Sequence, residues 1–186
     1  MPIPTGLPLE DERELHMKSL RLFHWERRFL FGEAAVSKTT FTQKLLHFSH
    51  TYDSLLALAE TYPSSLRLKA GACGSWTPQQ VLMHFTGWLT EATRRYRQFN
   101  AGVPGNMNYN FDTFNARNIE ARARQTWDDT LDELRDTLDE FTALASVVSS
   151  EQASADPRYA EWLDELARDC ATHTEQLQQF ASEAAR

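Results

Sequence analysis

One histidine organises the chemistry this chain could do. His84 lies in Gly74-Ser75-Trp76-Thr77-Pro78-Gln79-Gln80-Val81-Leu82-Met83-His84-Phe85-Thr86-Gly87-Trp88. Val81, Phe85, Trp88 and Leu89 recur there at helical spacing and form a core-facing stripe. His84 falls three residues after Val81 and four before Trp88, at the edge of that stripe. A metal-capable imidazole on the buried side of a helix needs a polar partner, because an unpaired polar group there costs free energy. A partner set stands near the C-terminus in Asp169-Cys170-Ala171-Thr172-His173-Thr174-Glu175-Gln176. Asp169 and His173 are four residues apart, so both project from one helix face about a turn from each other.

Composition limits what such residues could serve. The 186 residues suffice for one domain with a real core, and 41% hydrophobic and 24% charged residues are ordinary for a soluble globular protein. A net charge of −7 argues against nucleic-acid binding, which relies on clustered Lys and Arg. Arg94, Arg95 and Arg97, then Arg117, Arg122 and Arg124, read as solvated helix faces. No apolar run is long enough for a transmembrane helix, and the N-terminus lacks the pattern of a signal peptide. The expectation is a cytoplasmic protein with no membrane partner. Cys73 and Cys170 are too few and too far apart for a zinc ribbon or disulfide framework, so both read as reduced thiols.

The elements that must position these residues are helices. Residues 1–40 read as an N-terminal extension with an amphipathic helix at about 9–31, which could cover the bundle or join a subunit interface. The main domain is expected over 41–186. Thr40 or Thr42 can start its first helix, with Leu45, Leu46, Phe48, Tyr52, Leu55, Leu56 and Ala59 facing inward and a stop near Tyr62-Pro63. Ser75 or Thr77 can cap the second, with Pro78 at its first position and an end near Phe99. A loop at 100–106 precedes a helical stretch from Phe111 to Arg124, with Asp112 as a cap. Thr126-Trp127 starts the next helix, carrying Leu131, Leu134, Leu138, Phe141 and Leu144 at helical spacing. Asp156-Pro157 opens the last, which runs to about Ser182. Four long amphipathic helices with one long crossover predict an all-α four-helix bundle.

Three stretches resemble the DinB-like superfamily, including its ClbS/DfsB-like branch. Ser75-Trp76-Thr77-Pro78 with His84-Phe85-Thr86-Gly87-Trp88 looks like the Trp-rich second-helix motif; Phe111-Asp112-Thr113-Phe114-Asn115 looks like the Phe-Asn entry to the middle of the fold. Asp169-x-x-x-His173-x-x-Gln176 resembles the last-helix motif, where many relatives carry His-x-x-x-His followed by Gln. The resemblance covers about residues 41–183. It implies an up-down-down-up bundle, often dimeric, with one divalent metal held by three histidines between the second and fourth helices. Some members are thiol-dependent transferases or isomerases, and the ClbS/DfsB-like branch includes a self-protection protein that opens a reactive cyclopropane. Carried over, His84 and His173 match ligands, while Asp169 stands where the middle ligand is usually histidine.

Two imidazoles and a carboxylate on one side of an ion leave positions open for water or substrate, a set that suits Zn, Ni, Fe or Mn. Such an ion could activate a bound water or a low-molecular-weight thiol. Glu91, seven residues after His84, reads as its partner or as a proton acceptor, and Asn115 and Trp88 as pocket walls. Without the family pattern, His84 reads as a hydrogen-bonded core residue and Asp169 as a solvated one. Cys170 reads as packing, because the charge of Asp169 disfavours its thiolate. His47 and His50 read as surface or rim residues, and Trp76 and Trp88 as packing. No phosphate loop or nucleophile elbow is present. Three functions follow: a metal-dependent transferase or hydrolase acting on a small electrophilic molecule, a metal-free protective binder or hydrolase of a reactive metabolite, or a non-catalytic interaction protein. A homodimer fits each of them.

Overall fold

The structure, a computed structural model, describes residues 40–103 and 109–186. Apart from Thr40, the N-terminal extension and its expected helix lie outside the described residues. The described elements are α1 (Phe41–Glu60), α2 (Pro78–Asn100), α3 (Phe111–Ala121), α4 (Trp127–Ser146), α5 (Ser150–Ala155) and α6 (Arg158–Ala184). No helix among the described residues is long and apolar enough to cross a membrane.

Local chemistry explains where the helices begin. Thr40, Thr77, Thr126 and Ser149 each accept a hydrogen bond from the backbone three residues on. Gln43, Gln80, Asp129 and Gln152 return the bond to the cap's own N–H, completing a capping box in each case. The cap of α3 is Asn110 and not the expected Asp112, because the Asn110 side chain reaches the Thr113 amide. That helix also stops at Ala121, short of Arg124. At α6 the Asp156 carboxylate accepts from the Arg158 amide at 3.1 Å, and Pro157 takes the non-hydrogen-bonding position before it. The short α5 was not expected from the sequence.

Hydrogen bonds between helix ends fix the topology as up-down-down-up. Tyr62, just past α1, donates to the Leu177 carbonyl near the end of α6, so those two run parallel. Gln79 at the start of α2 donates to the Gln125 carbonyl and Thr130 hydroxyl at the start of α4, so this pair is parallel as well. Tyr96 late in α2 donates to the Tyr159 carbonyl early in α6, setting those antiparallel. The long connection carrying α3 joins the ends of α2 and α4, as two parallel neighbours require. The core is aromatic: Phe48, Tyr52, Phe85, Tyr96 and Phe141 are all fully buried. Leu46 departs from the expected inward face and is 55% exposed, while Phe48 takes the core position two residues on.

Candidate metal centre

The site is built where α2 faces α6. His84, Asp169 and His173 are 2%, 9% and 8% exposed, and one ligand atom from each lies within 4.8 Å of the others. The His84 Nε2 stands 2.9 Å from Asp169 Oδ2, and the His173 Nε2 stands 3.5 Å from Asp169 Oδ1. The two imidazole rings meet edge to face at 5.3 Å. Ligand atoms about 2.1 Å from a shared ion stand about 3.0–3.4 Å apart at right-angle to tetrahedral geometry, so these spacings suit an ion.

The far side of each ring is pinned. His84 Nδ1 lies 3.1 Å from Asn115 Oδ1, which also receives the Trp88 indole N–H at 3.0 Å. Indole nitrogen only donates. The Asn115 atom it meets is therefore the oxygen, and the same oxygen takes Nδ1–H from His84. Nε2 is left to face a carboxylate oxygen. Two acceptors cannot meet at 2.9 Å without a positive centre between them, either a proton or a metal ion. His173 repeats the arrangement, with Nδ1 at 2.6 Å from Gln176 Oε1. Fixing a ligand histidine through its other nitrogen is the usual outer support of a metal site.

Electrostatics follow the same geometry. Burial alone would raise the Asp169 carboxyl, but the hydrogen bond and charge of His84, then His173 and Arg168, bring it below the ordinary range. Burial pulls the His173 imidazole down, yet a hydrogen bond with Cys73 and the charge of Asp169 raise it overall. Cys73 reaches the site from a tight turn. The Trp76 amide bonds the Cys73 carbonyl at 3.0 Å, and Gly74 adopts a φ of 57°, which a side chain would disfavour. That turn sets the Trp76 ring 5.2 Å from His84 and 6.4 Å from His173. The Tyr52 hydroxyl is buried without a partner among the described residues, and its pKa is raised well above the usual value by burial, then by Cys170 and Asp169. A polar atom left so beside the cluster marks a place where a bound ion's water could be received.

The structure thus brings His84, Asn115, Asp169 and His173 together. Glu91 stands apart from them: its carboxylate accepts from Arg94 at 2.7 Å and Arg95 at 2.8 Å, and from the Tyr109 hydroxyl. Burial would raise its pKa, but those donors hold it below the ordinary range. A carboxylate so saturated is a poor proton acceptor. Cys170 is buried, and burial pushes its thiol up, consistent with packing. His47 and His50 are exposed on α1. Sequence reasoning gave Trp88 a packing or pocket-wall role, whereas its indole N–H fixes Asn115. It also missed the link between Cys73 and His173, because residues a hundred apart carry no spacing signal.

The described part of the chain is an all-α four-helix bundle with a buried His/Asp/His cluster that could hold a metal. Its neighbours among solved structures include DfsB, described as a sibling lethal factor precursor, with a TM-score of 0.66 at 17% identity over 78% of this chain and 97% of that one. An uncharacterised protein from Escherichia coli UTI89 aligns with a TM-score of 0.67 at 13% identity, covering 78% and 95%. At these identities the likeness is one of fold. No family model matches the chain, and no curated protein matches it in sequence.

Proposed function

We propose that this protein is a metal-dependent transferase or hydrolase acting on a small electrophilic molecule, with His84, Asp169 and His173 as its metal ligands. One observation carries this reading: both imidazoles are held at Nδ1 by amide oxygens and turn Nε2 toward the two oxygens of one buried carboxylate. When bound, a divalent ion there supplies Lewis acidity, making a water or small thiol nucleophilic at neutral pH. The chain's own residues do the rest. Asn115 and Gln176 fix the two tautomers, and Asp169 supplies the negative charge that balances the ion. The Trp76 ring shields one side of the imidazoles. Glu91 orders Arg94, Arg95 and Tyr109 and takes no part in proton transfer.

The test is metal analysis of protein purified without a nickel column. About one equivalent is expected, falling below about a tenth in Asp169→Ala, since removing one of three ligands weakens binding severely. Wild-type protein that stays below about a tenth of an equivalent even after metal is added would sink the reading. A second reading rests on the 2.9 Å His84–Asp169 contact, which a proton can join as well as an ion. In that case the bundle is a metal-free protective binder of the same small molecules. Histidine NMR separates the two, since a proton at His84 Nε2 gives an N–H signal and a metal removes it.

A further inference from the structure

A cavity lies at the N-terminal end of α2, lined by Met83 but by neither His84, Asn115, Asp169 nor His173. It measures about 630 Å³, within the range of small-molecule sites. Its walls mix apolar surface from Leu68, Met83, Ile119, Ala123 and Trp127 with polar side chains, among them three glutamines. Among the described residues Arg67 is its one charged lining residue and no carboxylate lines it, in a chain whose net charge is −7.

Arg67 is held ready. Its Nε donates to the Tyr62 carbonyl at 3.2 Å, and its guanidinium lies 4.8 Å from the Trp127 ring centre. Trp127 is itself stacked with Tyr62 at 5.8 Å and 26°. The Gln79 amide bonds the Arg67 carbonyl at 3.1 Å, tying this loop to the start of α2. No hydrogen bond or ion pair engages the terminal guanidinium nitrogens among the described residues. These nitrogens form a planar fork that matches a carboxylate. Trp127, 7% exposed, also keeps its indole N–H without an acceptor among the described residues. The capping residues of two long helices, Thr77 of α2 and Thr126 of α4, line the same cavity, so the positive ends of both dipoles reinforce Arg67. Asp129 is turned back into its capping box, and Asp128 does not line the cavity.

We infer that this cleft binds a small organic carboxylate with a flat apolar body, its charge on Arg67 and its body against Trp127 and Met83. Such a ligand supplies what the cleft lacks, an anion for the fork and apolar surface for the walls. The cleft shares no lining side chain with the metal centre, although Met83 directly precedes His84.

The experiment titrates the full chain with 2-naphthoate and with neutral 2-naphthamide, followed by calorimetry and by NMR of the indole N–H groups. Naphthoate should bind one per chain, about tenfold more tightly than naphthamide, with its largest shift at Trp127. Arg67→Met keeps an apolar stem over Trp127 but no charge, and should weaken naphthoate about tenfold without unfolding the chain. Arg67→Lys should recover part of the loss. Naphthoate binding should survive treatment with a chelator, which separates this site from the metal centre. Equal binding of the two probes overturns the inference. So does full affinity in Arg67→Met, a shift centred on another indole, or no saturable binding below about 5 mM.

Discussion

Asn115→Leu is the most direct probe of how the candidate centre is held. The Asn115 oxygen accepts two buried N–H groups, His84 Nδ1–H at 3.1 Å and Trp88 Nε1–H at 3.0 Å. Leucine matches asparagine in branching and side-chain heavy-atom count, so the change removes the acceptor and leaves no void. Each buried donor left unpaired costs about 1–3 kcal/mol. Partial relaxation of the two rings brings the expected loss to about 2–4 kcal/mol, read from urea unfolding followed by circular dichroism. Freed at Nδ1, the His84 ring can rotate or shift its proton to Nε2, and either change spoils the ligand set. Metal affinity should therefore fall about 10–100-fold, as when the outer support of other metal sites is removed. Asn115→Asp keeps an oxygen at the same point and should lose less stability than Asn115→Leu. If Asn115→Leu unfolds within about 0.5 kcal/mol of wild type, the two-donor assignment is wrong.

Two further changes probe the surroundings. A Cβ on Gly87 would stand 2.3 Å from Asn118 Cγ, so Gly87→Ala should cost about 1–3 kcal/mol in thermal or urea melts. Adding Asn118→Ala should restore most of it, and no rescue would place the strain elsewhere. Glu91→Gln removes the charge that joins Arg94, Arg95 and Tyr109 and should cost about 2 kcal/mol at neutral pH. Because the folded state lowers the Glu91 pKa, its contribution is present above the unfolded value of about 4.3. It is lost as pH falls through the lower folded value, so the gap between variant and wild type should close only in acid. A gap that stays constant down to about pH 3 would contradict the shift.

Much of the bundle was legible because its signals are local. Thr77-Pro78 and Thr126-Trp127 mark helix starts through backbone bonds within a single turn, and the structure begins α2 and α4 at those points. The stripe of Val81, Phe85, Trp88 and Leu89 is buried as helical periodicity predicts, but so is every other residue from Val81 to Leu89, because α2 is covered on all sides there. The pairing of His84 with Asp169 needed more. Its 85-residue separation carries no periodic signal, and family resemblance made the juxtaposition visible in advance. Glu91 shows the limit of spacing. Two turns along α2 from His84 it shares a helix side, but Arg94, Arg95 and Tyr109 claim its carboxylate, and Tyr109 comes from outside the helix. The role of Trp88 was hidden for a related reason: a large aromatic on a buried face reads as packing until the partner of its N–H is known.

The weakness of α3 has a consequence for the site it serves. This eleven-residue helix buries one residue, Asn115, and among the described helices it packs on α2 alone. So short a helix is not stable by itself in water. It is attached by the Trp88–Phe114 ring contact at 4.3 Å, by the shared Asn115 oxygen and, at its C-cap, by the Arg122–Glu133 ion pair to α4. Anything that steadies His84 in its present orientation must then also hold α3 down, and the favour is returned in equal measure by thermodynamic linkage. The backbone amides of α3 are thus a gauge of the centre's state: their exchange with deuterated water should slow when the centre fills, while α1 and α4 change little.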